Sequence, residues 1–440
     1  MRLRRTVGVW GATSVGIANI IGAGIFVLSG VAAGIAGPSV ILSFFIAGFI
    51  ALMTALSAAE LSSLITETGA SYAFTKKAFG RFWSFLVGWF KYFDYTVGAA
   101  AVSVGFAAYF AAFFGMNGPT ALALSAVGLP VALTILNLIG VRETARATAA
   151  MVFVKVFALV LLVMLGIFYL GQNFNASHYT PFFVNGLGGT LEAAAVVFFA
   201  FLGFNTVSMM SEETKNPEKT IPRALMIAFF VSFILYMAIA VVEIGVLDWN
   251  TMGSTASPLI ELAAALTSNR MFMDFIAFSA MVATGSVALS SMIGGTRTSY
   301  VMGRDGLLPR QFESVSKRFG TPYISILVSG MIITVLAGLF ADNIALIVSI
   351  VNFGSLFTYM FTHLSLIRLR HLMPKAKRHF RVPAYPVVPI IGIISCLFFM
   401  FYLSVDAKVA AMLWAAIGIV AYAVFHTKRS KVPLGFLVKD

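Results

Sequence analysis

One cysteine in 440 residues, Cys396, excludes a disulfide framework. Charge is also scarce: Asp, Glu, Lys and Arg make up 11% of the chain against 60% hydrophobic residues. That cannot clothe a soluble globule of 47.2 kDa, and a mean hydropathy of +0.94 agrees. No phosphate-binding loop, nucleotide fingerprint or Ser-His-Asp arrangement occurs. The longest basic linker between apolar runs, Arg368 to Pro383, is too short for a catalytic domain. Neither an enzyme nor an ATP-driven pump is therefore expected. His178, His363, His371, His379 and His426 lack metal-ligand spacing, so no metal or cofactor is expected.

Long apolar runs are what the chain has instead. A spanning helix needs ~20 apolar residues. Twelve such windows centre near Gly16, Ala51, Ala99, Leu129, Ala158, Phe199, Leu235, Gly285, Ser329, Met360, Cys396 and Gly418. The predicted fold class is an all-α polytopic membrane protein forming one transmembrane unit over residues 1–440. Its basic start runs into a first span without the usual processing pattern, so no cleavable leader is expected.

The net charge of +13 does not point to nucleic acid, because the positive residues follow the loops. They cluster at Arg2 to Arg5, Lys76 to Arg81, Arg142 and Arg146, Lys215 to Arg223, Arg297 to Arg318, Arg368 to Arg381, and beyond Lys428. All these loops fall on one side, which the positive-inside rule makes cytoplasmic, both termini included. A cell-membrane protein whose basic face meets anionic lipids is the expectation.

Two spans look interrupted. The first contains Asn19-Ile20-Ile21-Gly22-Ala23-Gly24 and the sixth contains Phe201-Leu202-Gly203-Phe204-Asn205. Small residues can simply let helices pack closely. The two spans lie five apart, however, so they run in opposite directions, the sequence mark of an inverted repeat. A half-helix starting after Gly24 offers free N–H groups and the positive end of its dipole, suiting a carboxylate. A half-helix ending near Leu202 offers carbonyls, suiting an ammonium. Together they fit the head group of an amino acid.

Lys155, Lys91 and Asp94 are ionisable residues placed inside spans. Lys155 lies mid-run between Thr148 and Leu170, and such a residue is a functional hypothesis by default. Lys91 and Asp94 stand three apart on one helical face, so a neutralising salt bridge is sterically available.

The chain resembles the amino acid-polyamine-organocation superfamily over nearly its whole length. The resemblance is closest to the branch of cationic amino acid transporters and their prokaryotic proton-coupled relatives. It is carried by Ile21 to Phe26, Ala59-Glu60-Leu61 through Glu67 to Tyr72, Gly88-Trp89, Asp94 to Gly98, Phe199 to Asn205, Glu212 to Pro217, and Gly303 to Pro309. It implies a fold of five plus five inverted-repeat helices, residues 7–170 and 187–369, with two more helices over 384–427. By resemblance, substrate carboxylate binds N–H groups at Gly22, Ala23 and Gly24, next to Ile21. The amine binds carbonyls of Ile20, Phe199, Ala200 and Leu202, and Phe201 and Phe204 match lid aromatics. Many relatives carry an acid where Asn205 stands, and some carry a bulky aromatic where Ser291 stands.

The same resemblance sets Lys155 against the first and eighth spans, with Ala18 and Ser286 as expected partners and Ser290 as a second choice. Desolvation makes a buried ammonium easier to deprotonate. Lys155 is thus a candidate proton-coupling site; a permanently charged bridge and a snorkelling side chain are the other readings. Asp94 is a candidate for gating. Glu60, Glu212, Arg146 and Arg223 at span ends are either solvated or close the inner path. The implied activity is proton-coupled symport of amino acids, with amino acid exchange around a fixed Lys155 as the alternative. A non-transporting receptor or scaffold is the rival from another class.

Overall fold

Without water, a spanning backbone must satisfy its own polar groups, so the apolar runs become helices. The computed structural model describes residues 5–66, 69–116, 118–140 and 145–429, without the side chains of 145, 146 and 425–429. Arg2, Arg4, Glu67, Thr68, Arg142, Lys431 and Lys439 lie outside the described residues, as do the side chains of Arg146, Lys428 and Arg429. Among the described residues, ten helices are long and apolar enough to cross a membrane. Tyr323–Leu339 and Val387–Tyr402, at the ninth and eleventh expected spans, are shorter apolar helices.

The chain opens with α1 (Val9–Ile20), α2 (Ala23–Phe26) and α3 (Leu28–Ala36). Then come α4 (Val40–Leu64), the short α5 (Ser71–Phe79) and the long α6 (Arg81–Phe114). A proline in its first turn starts α7 (Pro119–Ile139), and Gly140 at φ 85 ends it in the left-handed conformation that frees the chain to turn. α8 (Ala145–Asn173) follows.

α9 (Gly186–Val197) tightens into a 3-10 turn at Phe198–Phe201, and α10 (Asn205–Met209) resumes after it. α11 (Pro217–Val246) and the short helices α12 (Trp249–Ser254) and α13 (Pro258–Leu266) follow. α14 (Arg270–Arg304), α15 (Tyr323–Leu339) and α16 (Ile344–Leu372) come next. α17 (Val387–Tyr402) and α18 (Val405–Arg429) end the bundle. The side chains of Asn269 and Asn343 cap α14 and α16 by accepting from the N–H groups of Met271 and Leu346.

α1 lies against α8 and α11, while α6 runs along α14 and α16. The α8 wheel explains how a lysine becomes interior. Phe153, Phe157, Val160, Met164 and Ile167 recur every three or four residues and are exposed on the outside of the bundle. Lys155, Ala158, Leu159 and Leu162 repeat on the opposite face and are fully buried. Near the chain start, Thr6 and Val7 donate to the Glu213 carbonyl at 2.9 and 3.1 Å, tying the segment before α1 to the loop after α10.

Candidate binding site between two helix interruptions

α1 ends at Ile20 because Ile21 is extended, at φ -79 and ψ 98. Gly22 is also non-helical before α2 begins at Ala23. An interruption orphans the last carbonyls of the helix before it. Three of those carbonyls are taken by side chains from neighbouring helices. The Lys155 ammonium donates to the Ala18 and Ile21 carbonyls at 2.7 and 3.0 Å. The Tyr236 hydroxyl of α11 donates to the Ile20 carbonyl at 2.8 Å.

The second interruption is built the same way. Leu202 is extended, and Gly203 takes φ 101, a region open mainly to glycine. Where α9 tightens, the Asn352 amide of α16 donates to the Ala195 and Val196 carbonyls at 2.7 and 3.1 Å. Glycine also lets the two interruptions touch. A Cβ on Gly24 would lie 2.2 Å from the Cα of Ala200, and one on Gly203 would lie 2.5 Å from the Asn19 carbonyl oxygen.

Between the interruptions is a narrow cavity of about 50 Å³. Ile20, Gly22, Ala23 and Gly24 line it from one interruption, and Phe199, Leu202, Gly203 and Asn205 from the other. Ser291 of α14 lines it too. The remaining wall is α6, with Lys91, Asp94, Tyr95, Gly98 and Val102 on one helical stripe. Val287 and Val351 add apolar surface. Asn205 is a lining residue whose amide nitrogen is buried with no hydrogen-bond partner among the described residues.

Other expected site residues lie elsewhere. Ile21 and Ala200 are buried in the interruptions without lining the cavity. Phe201 packs among Phe229, Phe233 and Tyr236, with ring centroids 5.3 to 6.2 Å apart. Phe204 stacks on Tyr359 at 5.3 Å, and neither phenylalanine lines the cavity. The Ser286 hydroxyl donates to the Ala283 carbonyl of its own helix at 3.0 Å. Contact between α8 and α14 beside the lysine includes the Ser279 hydroxyl, 3.3 Å from the Val154 carbonyl.

Asp94 is ion-paired with Lys91, and its other oxygen accepts from the Ser355 hydroxyl at 2.6 Å. Lys91 also sits 4.6 Å from the centroid of the Tyr95 ring. Glu60 is a correction to the solvated reading, because it is fully buried. Arg370 grips it with two bonds of 2.8 and 2.5 Å, Arg378 lies 3.2 Å away, and the Val382 N–H donates to it at 2.7 Å. This cluster ties α4 to the end of α16 and to the basic linker. Glu212 and Arg223 are exposed, whereas the side chain of Arg146 lies outside the described residues.

The sequence reading missed Glu243 near the end of α11, buried and accepting from Ser29 of α3 at 2.9 Å. The rule that singled out Lys155, an ionisable group in an apolar run, would have found it. It also missed Asn352 and Tyr236, whose polar atoms matter only because of the carbonyls they meet.

A polytopic bundle of apolar helices, enclosing a partly polar cavity between interrupted segments, defines a multi-pass membrane protein of the permease type. The chain belongs to the amino acid permease family of the amino acid-polyamine-organocation superfamily, whose profile matches residues 7–425. These proteins are transporters rather than enzymes. Among similar proteins are the branched-chain amino acid permease BcaP of Bacillus subtilis, 33% identical over 98% of this chain and 95% of its own length. The methylthioribose transporter of the same bacterium is 33% identical over 97% and 95%. The vacuolar cationic amino acid transporter 4 of Arabidopsis thaliana is 32% identical over 82% of this chain and 62% of its own length.

Proposed function

We propose that this protein is a secondary active transporter that brings amino acids across the cell membrane with a proton, by alternating access. In this reading twelve spans form a five-plus-five inverted repeat with both termini cytoplasmic. α1–α2 and α9–α10 are the corresponding broken helices. The observation that carries the proposal is that both interruptions open onto one cavity, with backbone donors beginning at Gly22 on one side and the turn ending at Leu202 on the other. An α-carboxylate at Gly22 to Gly24 and an α-amine at the Phe199 to Leu202 carbonyls would span it. Val102, Val287 and Val351 favour an apolar substrate side chain. Leucine, isoleucine and valine are therefore the substrates to try first, in keeping with the similarity to a branched-chain amino acid permease.

Lys155 is the proposed proton-coupling residue. Protonated, it clasps the end of α1 through Ala18 and Ile21; deprotonated, it has fewer donors to offer and α1 can part from α8. Asp94, Asn205, Glu60 and Glu212 are assigned to gating. Exchange is the second reading, favoured by the full burial of Lys155 and its two carbonyl bonds, which suit a fixed cation.

The test is leucine uptake into proteoliposomes with an imposed inward proton gradient and no sodium. Accumulation that collapses with a protonophore supports symport. Uptake only after internal loading with amino acid supports exchange, and no uptake under either condition overturns the assignment.

A further inference from the structure

The wall that α6 contributes to the cavity carries the parts of a cation-binding cage. Asp94 supplies a carboxylate, the Tyr95 ring supplies an aromatic face, and Ser355 orients the carboxylate through a 2.6 Å bond. Such a set would hold an ammonium or guanidinium well. It is already full. Lys91, one turn before Asp94 on the same stripe, pairs with the Asp94 oxygen that Ser355 leaves open and lies 4.6 Å from the Tyr95 centroid. Both charged side chains are largely buried, at 14% and 8% exposure, so solvent screens the pair weakly.

We infer that Lys91 is a tethered stand-in for a cationic substrate side chain, and that it restricts the site to neutral substrates. An arginine or lysine substrate would meet the Lys91 ammonium at close range in a cavity that offers no second carboxylate among its lining residues. Like charges brought together with little water between them repel strongly. A neutral side chain brings no second charge to the paired Lys91 and Asp94, and Val102, Val287 and Val351 give it apolar surface in the same cavity. Removing Lys91 reverses the preference, because Asp94 is then a buried carboxylate lacking its counter-charge. This selectivity rests on the transport reading above.

The experiment measures competition by unlabelled arginine against labelled leucine, in proteoliposomes carrying wild type, Lys91→Met, Lys91→Arg, or Lys91→Met with Asp94→Asn. Leucine uptake by the wild type is expected to withstand excess arginine. In Lys91→Met, arginine should inhibit at concentrations lower by about tenfold or more, the scale of one charge-assisted contact. Lys91→Arg keeps the cation and should keep the exclusion, while the double variant should lose the gained arginine sensitivity. Should Lys91→Met not fold, Lys91→Gln retains a donor for Asp94 and carries the same expectation. Strong arginine competition in the wild type overturns the inference, as does leucine uptake by Lys91→Met or Lys91→Gln that arginine still leaves untouched. Absence of leucine uptake by folded wild type would instead refute the transport reading.

Discussion

Gly24→Ala tests the geometry of the site with a single methyl group. Its Cβ would stand 2.2 Å from the Cα of Ala200, 2.5 Å from that residue's Cβ and 2.9 Å from its backbone nitrogen. Two of these atoms are backbone, so no rotamer change relieves the clash. Ordinary contact begins near 3.4 Å, and the two segments must therefore separate by about 1.2 Å. Overpacking of this kind costs about 1–3 kcal/mol and can exceed it where backbone must move. The expected result is a lower melting temperature for the purified protein in detergent and a KM for leucine raised by about tenfold or more, since the donors of α2 shift against the carbonyls before Leu202. Gly171→Ala is the control, because a Cβ there meets nothing within 4 Å. Wild-type melting and wild-type KM in Gly24→Ala would refute the argument that the two interruptions form one site.

Lys155→Gln should abolish uphill, pH-dependent accumulation while leaving leucine binding measurable; proton-driven uptake at the wild-type level would remove Lys155 from coupling. Glu60→Ala leaves the buried Arg378 guanidinium without its counter-charge, and loss of one partner of a buried pair typically costs about 3–5 kcal/mol. A clear fall in melting temperature is expected, and an unchanged one would make the cluster ornamental. Asn352→Leu removes the side-chain donor from the Ala195 and Val196 carbonyls, of which Val196 keeps a backbone partner in the Phe198 N–H, and should cost about 1–3 kcal/mol. It should lower leucine affinity more than Ser349→Ala, a change one turn earlier on α16 at a hydroxyl that donates to the Ala345 carbonyl of its own helix at 2.9 Å.

The helices and the site differ in how far they could be read from the chain. Apolar runs and basic loops mark spans directly, because a bilayer imposes one length and one composition on whatever crosses it. Gly22, Gly24 and Gly203 were legible for a related reason: glycine among bulky apolar residues marks a place where backbone comes close to something. Ala18 as a partner of Lys155 came from family resemblance, and the structure adds Ile21, which no spacing rule would give. Glu60 was misjudged because nearness to a span end suggests water, whereas the basic linker folds back over it. Phe201 and Phe204 show the other limit. A motif gives their residue type and position, but the rings they stack on come from α11 and α16, far along the chain.

The two interruptions are fastened from outside by different chemistry. Lys155 holds the carbonyls of the first, and Asn352 those of the second. An amide carries the same donors at every pH, whereas an ammonium keeps all of its donors only while it keeps its proton. On the coupling proposed for Lys155, loss of that proton would weaken the first clasp and leave the second untouched. A molecule that works this way has one adjustable joint and one permanent one, and the order in which the two interruptions come undone would then follow pH.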